Sequence, residues 1–466
     1  MLLQYLYARG DTYQFTGMDI FYSLFLLVFI FYFAKSIRDK HIKTNLSYRY
    51  FLSGMMAKIV GGIMVVLVYT LYYSGGDTIY YFFDSMTMSN LLFKNFIHFG
   101  DVVINGWENY KFSYLDSTTG TFVYYRSPES FFISRILWPF TLVGLQQMIP
   151  TVMLLALVSF GGVWRMYQIF IKEFPMLERP LAYTFFFLPS VFFWGSGILK
   201  DSITLSALGY FFYSFYYVFI VPKKVFKNLV IVIISAWIII SIKAYIFIGV
   251  LPGALIWIVS KLTSKIRGGF IRKVTFPLIM IIVGLSGFLL LNTLSDELGK
   301  FKIDRLLDEA AVSNADLQSD YYGGNSFSIG EIEPTVQSML IHMPLAINAA
   351  LFRPYITEAR NVMMIVSGLE NLFILLFTLY VLYKVKIFGI FKYFNKNSLL
   401  TFSLIFSLFF AFAVGISTSN FGSLVRYRIP LLPFFVSSLI IIRYLYEKEK
   451  AEKRELSYSY YKAITE

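Results

Sequence analysis

The sequence predicts an all-α, polytopic integral membrane protein, and three observations carry that expectation. Of 466 residues, 57% are hydrophobic, 20% aromatic and only 15% charged. Apolar runs recur along the whole chain, and many are long enough to cross a hydrocarbon core, which takes about 20 residues. The basic residues gather in every second connection between those runs. The formal charge of +13 is therefore mostly a topology signal, and no nucleic-acid partner is expected. Cysteine is absent, which removes disulfides and thiolate metal sites, and His41, His98 and His342 stand far apart in sequence.

Taken in order, residues 1–19 lack the basic flank and cleavage site of a secretory signal and are expected to stay with the mature chain. The first span is expected at 20–35, followed by Lys35, Arg38, Lys40, Lys43 and Arg49. A second span at 52–73 ends at Ser74-Gly75-Gly76-Asp77, with Lys58 expected to snorkel towards its cytoplasmic end. Further apolar runs lie at 148–170, 181–199, 202–221, 229–246, 247–261, 274–293, 361–383, 398–416 and 430–446, giving 11 expected spans. Placing the first basic connection in the cytoplasm puts the others there too, among them Lys223/Lys224/Lys227 and Lys384/Lys386/Lys392/Lys396. The N-terminus is then outside, the tail 447–466 is cytoplasmic, and the two long loops, 74–131 and 294–360, face outward. In the second loop, residues 294–320 suggest a short polar helix and 321–326 a turn cluster. Residues 337–355, interrupted by Pro344 and Pro354, suggest an interfacial or re-entrant helix, as do 86–99 and 129–145. No internal repeat or soluble-domain boundary is evident, so a single membrane domain over 1–466 is expected.

Four polar features fall on the expected outer face. Asp77 and Asp84, seven residues apart, share a face if their segment is helical. Carboxylates there suit a general base or the ligand of a divalent cation, with Asp77 the candidate for any metal; a helix cap and a surface acid are the plainer alternative. In Pro189-Ser190-Val191-Phe192-Phe193-Trp194-Gly195-Ser196-Gly197-Ile198-Leu199-Lys200-Asp201, two spans meet with almost no loop around an adjacent Lys200–Asp201 pair, either functional or a structural ion pair. The third feature is Arg353-Pro354-Tyr355-Ile356-Thr357-Glu358-Ala359-Arg360, with Glu370 inside the next span and Lys243 a possible partner for it. An acid at that depth faces a polar cavity or is paired. The fourth is Arg426-Tyr427-Arg428 before the last span, where outward arginines run against the topology rule and suit a phosphate; ordinary lipid contact is the alternative. Tyr80, Tyr81, Trp107, Tyr124 and Tyr125 either stack on sugar faces or form the interfacial aromatic belt. There is no Walker sequence, no Gly-x-Ser-x-Gly elbow and no His-Glu-x-x-His helix, so ATP hydrolysis, that type of serine hydrolysis and zinc proteolysis have no support.

The acidic start of the first outer loop, the Pro-Ser-x-x-x-Trp-Gly-Ser-Gly-x-x-Lys-Asp hairpin and the Arg-Tyr-Arg-x-Pro-x-x-Pro entry to the last span together resemble bacterial multi-spanning glycosyltransferases of the GT-C superfamily. More loosely, they resemble the membrane proteins of surface-polysaccharide gene clusters. The likeness runs from about residue 75 to 435. It implies a bacterial cytoplasmic-membrane enzyme of the cell envelope that transfers or polymerises sugars from a polyprenyl-phosphate-linked donor to a glycan acceptor. Asp77, with Asp84 beside it, matches the base or metal ligand. Arg426, Tyr427 and Arg428, with Lys200, match the lipid-phosphate clamp, and Glu370 with Arg353 or Arg360 the acceptor site. The alternatives are a polysaccharide or lipid-intermediate transporter that breaks no bond, with Glu370, Lys243 and Lys200 along its path, and a structural subunit of a membrane assembly.

Overall fold

The computed structural model describes residues 13–263, 306–318, 325–394 and 397–465. Among these there is no β-strand, only an isolated bridge between Ser326 and Asn420. The helices are α1 Gly17–Ile42, α2 Phe51–Leu67, α3 Asp77–Lys94, α4 Phe96–Asn105, α5 Pro128–Val143, α6 Met148–Glu173, α7 Glu178–Ala182, α8 Pro189–Phe193, α9 Lys200–Phe215 and α10 Val225–Thr263. They continue with α11 Leu306–Asp316, α12 Val336–Phe352, α13 Val362–Val385, α14 Ile387–Phe394, α15 Ser398–Ser417, α16 Phe421–Tyr427 and α17 Leu432–Thr465. Seven helices among the described residues are long and apolar enough to cross a membrane, or eight if α16 and α17, bent by 65° at their junction, form one broken span. The chain is thus a polytopic helical membrane protein, and the expected span at 274–293 lies outside the described residues.

Short polar residues open many of these helices by accepting from backbone amides that have no partner within the helix. Thr16 accepts from the Asp19 amide while the Asp19 carboxylate accepts from the Thr16 amide, a reciprocal cap at the start of α1. Asn95, Asn361, Asn397 and Asn420 do the same work at α4, α13, α15 and α16. Before α3 the chain turns through Ser74 (φ 51°) and Gly76 (φ 100°), and a Cβ on Gly76 would lie 3.0 Å from the Tyr69 ring.

Two runs expected as separate spans, 229–246 and 247–261, both lie within α10, which is two helices joined across a kink at Lys243, whose φ of −148° and ψ of 75° are not helical, so the break comes a few residues earlier than expected. The run expected at 181–199 is not a continuous span. It breaks into α7, a π-turn over Tyr183–Phe187, α8 and a non-helical stretch before α9. Pro189 explains part of this, because it has no amide to donate and disfavours helix at Leu188. Pro344, by contrast, is carried inside α12, which runs unbroken to Phe352. The expected polar helix is seen as α11, while Asp304, Arg305 and the turn residues 321–324 lie outside the described residues.

The chain divides into two compact units, Met1–Ile169 with Phe185–Phe247, and Phe170–Thr184 with Ile248–Glu466. In the first, glycines bring helices into backbone contact: a Cβ on Gly162 would lie 2.0 Å from the Ser206 carbonyl oxygen, and one on Gly61 2.0 Å from that of Phe192. The segment 77–143 forms a satellite of this unit. There Met88, Leu91, Phe99, Val102, Phe122 and Phe131 make a core of their own, with Trp107 and Tyr125 packed against it. Residues 86–99 therefore pack into protein, as a continuation of α3 and the start of α4. In the second unit, α12, α15 and α17 pack around Phe402, Phe406 and Phe434, and Gly415 lets α15 approach the Ala346 carbonyl of α12.

Candidate functional site

In the first unit, the unwound stretch 194–199 is the feature around which polar groups collect. A non-helical backbone leaves carbonyls without intrahelical partners, and in an apolar surrounding each must find a donor. Lys58, near the middle of the candidate span Leu46–Tyr72, donates its ammonium to the Gly195 carbonyl. The Thr78 hydroxyl donates to Ile198 O at 3.2 Å and the Ser202 hydroxyl to Trp194 O at 3.5 Å. Two residues past the stretch, Asp201 is buried in the first turn of α9 and forms an ion pair with Lys243 at the break in α10.

Lys58 does not snorkel: it is 6% exposed and donates to a backbone carbonyl. It lines a small gap with Gly54, Phe160, Phe186, Val191 and Ser196. Lys243 is held by Asp201. Lys200 is half-buried at the first position of α9.

The expected acidic pair on α3 is present, and Tyr124 joins its members. The Tyr124 hydroxyl donates to Asp77 Oδ1 at 2.7 Å, and its backbone amide donates to Asp84 Oδ2 at 3.0 Å. The Val123 amide donates to Asp84 Oδ1 at 2.7 Å, so both oxygens of that fully buried carboxyl are occupied by the loop. Asp84 is thus a structural anchor, not an open base or cation ligand. Burial pushes its carboxyl up to about 7, against the opposing pull of the two amides. Burial and the neighbouring Asp77 charge push the Tyr124 phenol well above its ordinary value, so it stays a donor to Asp77. Asp77 is half-buried, as its place in the first turn of α3 allows. Tyr81 is buried, and Trp107 is half-buried, edge-on to Phe112 and Phe122.

In the second unit, the third and fourth features merge into one cluster. Arg428 is completely buried; its guanidinium donates to Ala350 O at 3.3 Å, to Arg353 O at 2.9 Å and to Asn371 Oδ1, with the Glu370 charge acting on it. It ties the end of α12 to α13, and its donors are not available to a lipid phosphate. Asn371 was not singled out in the sequence, although an amide beside Glu370 in an apolar run was the available signal; its own amide nitrogen donates to Pro354 O at 2.8 Å. Arg353 is paired with Glu358 and lies over the Phe327 ring, 4.3 Å from its centroid. Of the remaining candidates, Arg360 is exposed, and Arg426 and Tyr427 are half-buried on the last turn of α16.

Among the described residues, no group of three histidine, aspartate or glutamate side chains is placed to hold a metal ion. Chemically, the first unit offers a half-buried carboxylate that accepts from a phenol and stands next in sequence to Thr78, which bonds the carbonyl-rich break, and the second offers a buried arginine knot. Comparison with protein-family models, curated proteins and solved structures finds no match for this chain, so any assignment of its activity rests on these side chains.

Proposed function

We propose that the protein is a GT-C-like membrane glycosyltransferase that uses a polyprenyl-phosphate-linked sugar at the outer face of a bacterial cytoplasmic membrane. In this reading the chain has 11 spans, an outward N-terminus and a cytoplasmic C-terminus, and it serves surface-polysaccharide synthesis. The observation that carries it is the Asp77–Tyr124 pair, tied through the Thr78–Ile198 hydrogen bond to the segment that leads into Lys200. Asp77 takes the proton of an acceptor hydroxyl as that oxygen bonds to the sugar C1. The bond from C1 to the donor phosphate breaks, and the lipid phosphate leaves with the electron pair. Lys200, at the start of α9, is the group proposed to neutralise the leaving phosphate, and Arg426 is kept as a separate phosphate contact in the second unit. Arg428 has no part in the clamp, because it is completely buried and its two terminal nitrogens bond within the protein.

A second reading, a transporter of a glycan or lipid intermediate, is favoured by the two broken helices with charged residues at or against their breaks, Lys58 on Gly195 O and Asp201 with Lys243. Discontinuous helices with ionisable groups are how many transporters build a path. One experiment separates the readings: the lipid-linked glycan profile of cells carrying Asp77→Asn or Lys58→Met, with membrane insertion verified. Transfer chemistry predicts that Asp77→Asn accumulates the lipid-linked donor and slows transfer by about 10²–10⁴-fold, the usual contribution of a general base. An unchanged profile in Asp77→Asn, with export of a preformed glycan lost in Lys58→Met, overturns it in favour of transport.

A further inference from the structure

The short helix α14 follows the span Val362–Val385 directly, after a reversal at Lys386, whose φ is 60°. One side of it is docked: Tyr393 is buried and donates its hydroxyl to Glu449 Oε2 of α17 at 3.0 Å, and Lys392 pairs with the same carboxylate. The other side carries Ile387, Phe388 and Phe391, which are 59%, 85% and 69% exposed. Positions i, i+1 and i+4 share one face of a helix, so these side chains form a continuous apolar strip. Exposed Lys384 and Lys386 flank the start of the strip, and no acidic residue occurs between Glu370 and Glu447. An apolar strip at the end of a membrane span, bordered by lysines and without acids, is complementary to a bilayer surface carrying anionic phosphate head groups.

We propose that α14 lies in the membrane surface, with Ile387, Phe388 and Phe391 among the acyl chains and Lys384 and Lys386 gathering anionic phospholipid. The Glu449 contacts would then hold the strip at a fixed depth beside the shaft of α17. This inference is independent of the activity proposed above.

The test uses the full chain, which contains no cysteine, so a Phe388→Cys variant takes a single fluorescent label. The labelled protein is reconstituted in phosphatidylcholine vesicles containing a small equal fraction of either brominated phosphatidylglycerol or brominated phosphatidylcholine. The expected result is quenching by both lipids, stronger with phosphatidylglycerol by roughly fivefold per lysine at low salt. Lys384→Gln with Lys386→Gln should abolish that preference while leaving quenching by brominated phosphatidylcholine intact. A label quenched by aqueous iodide and untouched by either lipid overturns the membrane contact. Equal quenching by the two lipids overturns the anionic preference.

Discussion

At the scale of single residues, Asp84 shows how burial converts a promising acid into a structural one. Sequence spacing put it on the same helical face as Asp77, and the structure agrees; spacing carries no information about which acid the loop 120–127 covers. With its carboxyl pushed up from 3.8 to about 7, the folded chain keeps a proton that the unfolded chain releases between those values. Stability from this group is therefore fully present below about pH 3.8 and is lost as pH rises to about 7, at up to ~1.4 kcal/mol per pH unit. Asp84→Asn should flatten the thermal-stability profile of the detergent-purified protein over that window. A slope unchanged by the substitution would place the titrating group elsewhere. Lys58 teaches a related lesson. Its position in an apolar run was visible in the sequence, but the carbonyl that receives it exists only because residues 194–199 are unwound.

At the scale of elements, Arg428 is a joint. It bonds carbonyls at the end of α12 and just past it, and a side chain of α13, so three segments depend on one guanidinium. Arg428→Met should leave those acceptors without their donor and remove a positive charge that acts on Glu370, at a cost of ~3–5 kcal/mol, seen as a lower melting temperature or faster proteolysis. Adding Glu370→Gln should recover part of that loss. If the double variant is as unstable as the single one, the Glu370 charge is not what Arg428 compensates. The Arg-Tyr-Arg motif was legible as outward-placed charge, and a phosphate was the natural ligand to expect of it. What the motif could not disclose is that the cis-linked Arg353–Pro354 turn presents a carbonyl to Arg428, and that Asn371 presents its side-chain oxygen. The Asn and Thr caps, by contrast, are contacts between residues two or three apart and depend on local sequence alone.

At the scale of the whole molecule, the proposed orientation makes a direct prediction. The chain has no cysteine, so Ser117→Cys in the first outer loop and Ser457→Cys in the tail each give one thiol, both at exposed positions. A membrane-impermeant maleimide on intact cells should label the first and spare the second; the reverse pattern would invert the topology. The sequence by itself determined that this is a helical membrane chain and roughly where most of its spans lie. Those properties follow from composition and local periodicity, which act over a few residues at a time. Only the tertiary structure decided how deeply each ionisable group is buried and which partners it meets. It left Asp77 and Lys200 half-buried, closed Asp84 and Arg428, split the run 181–199 and paired Lys243 with Asp201. In a low-dielectric interior a charge takes whichever partner the packing supplies, and the partners here lie 39 to 137 residues apart in sequence.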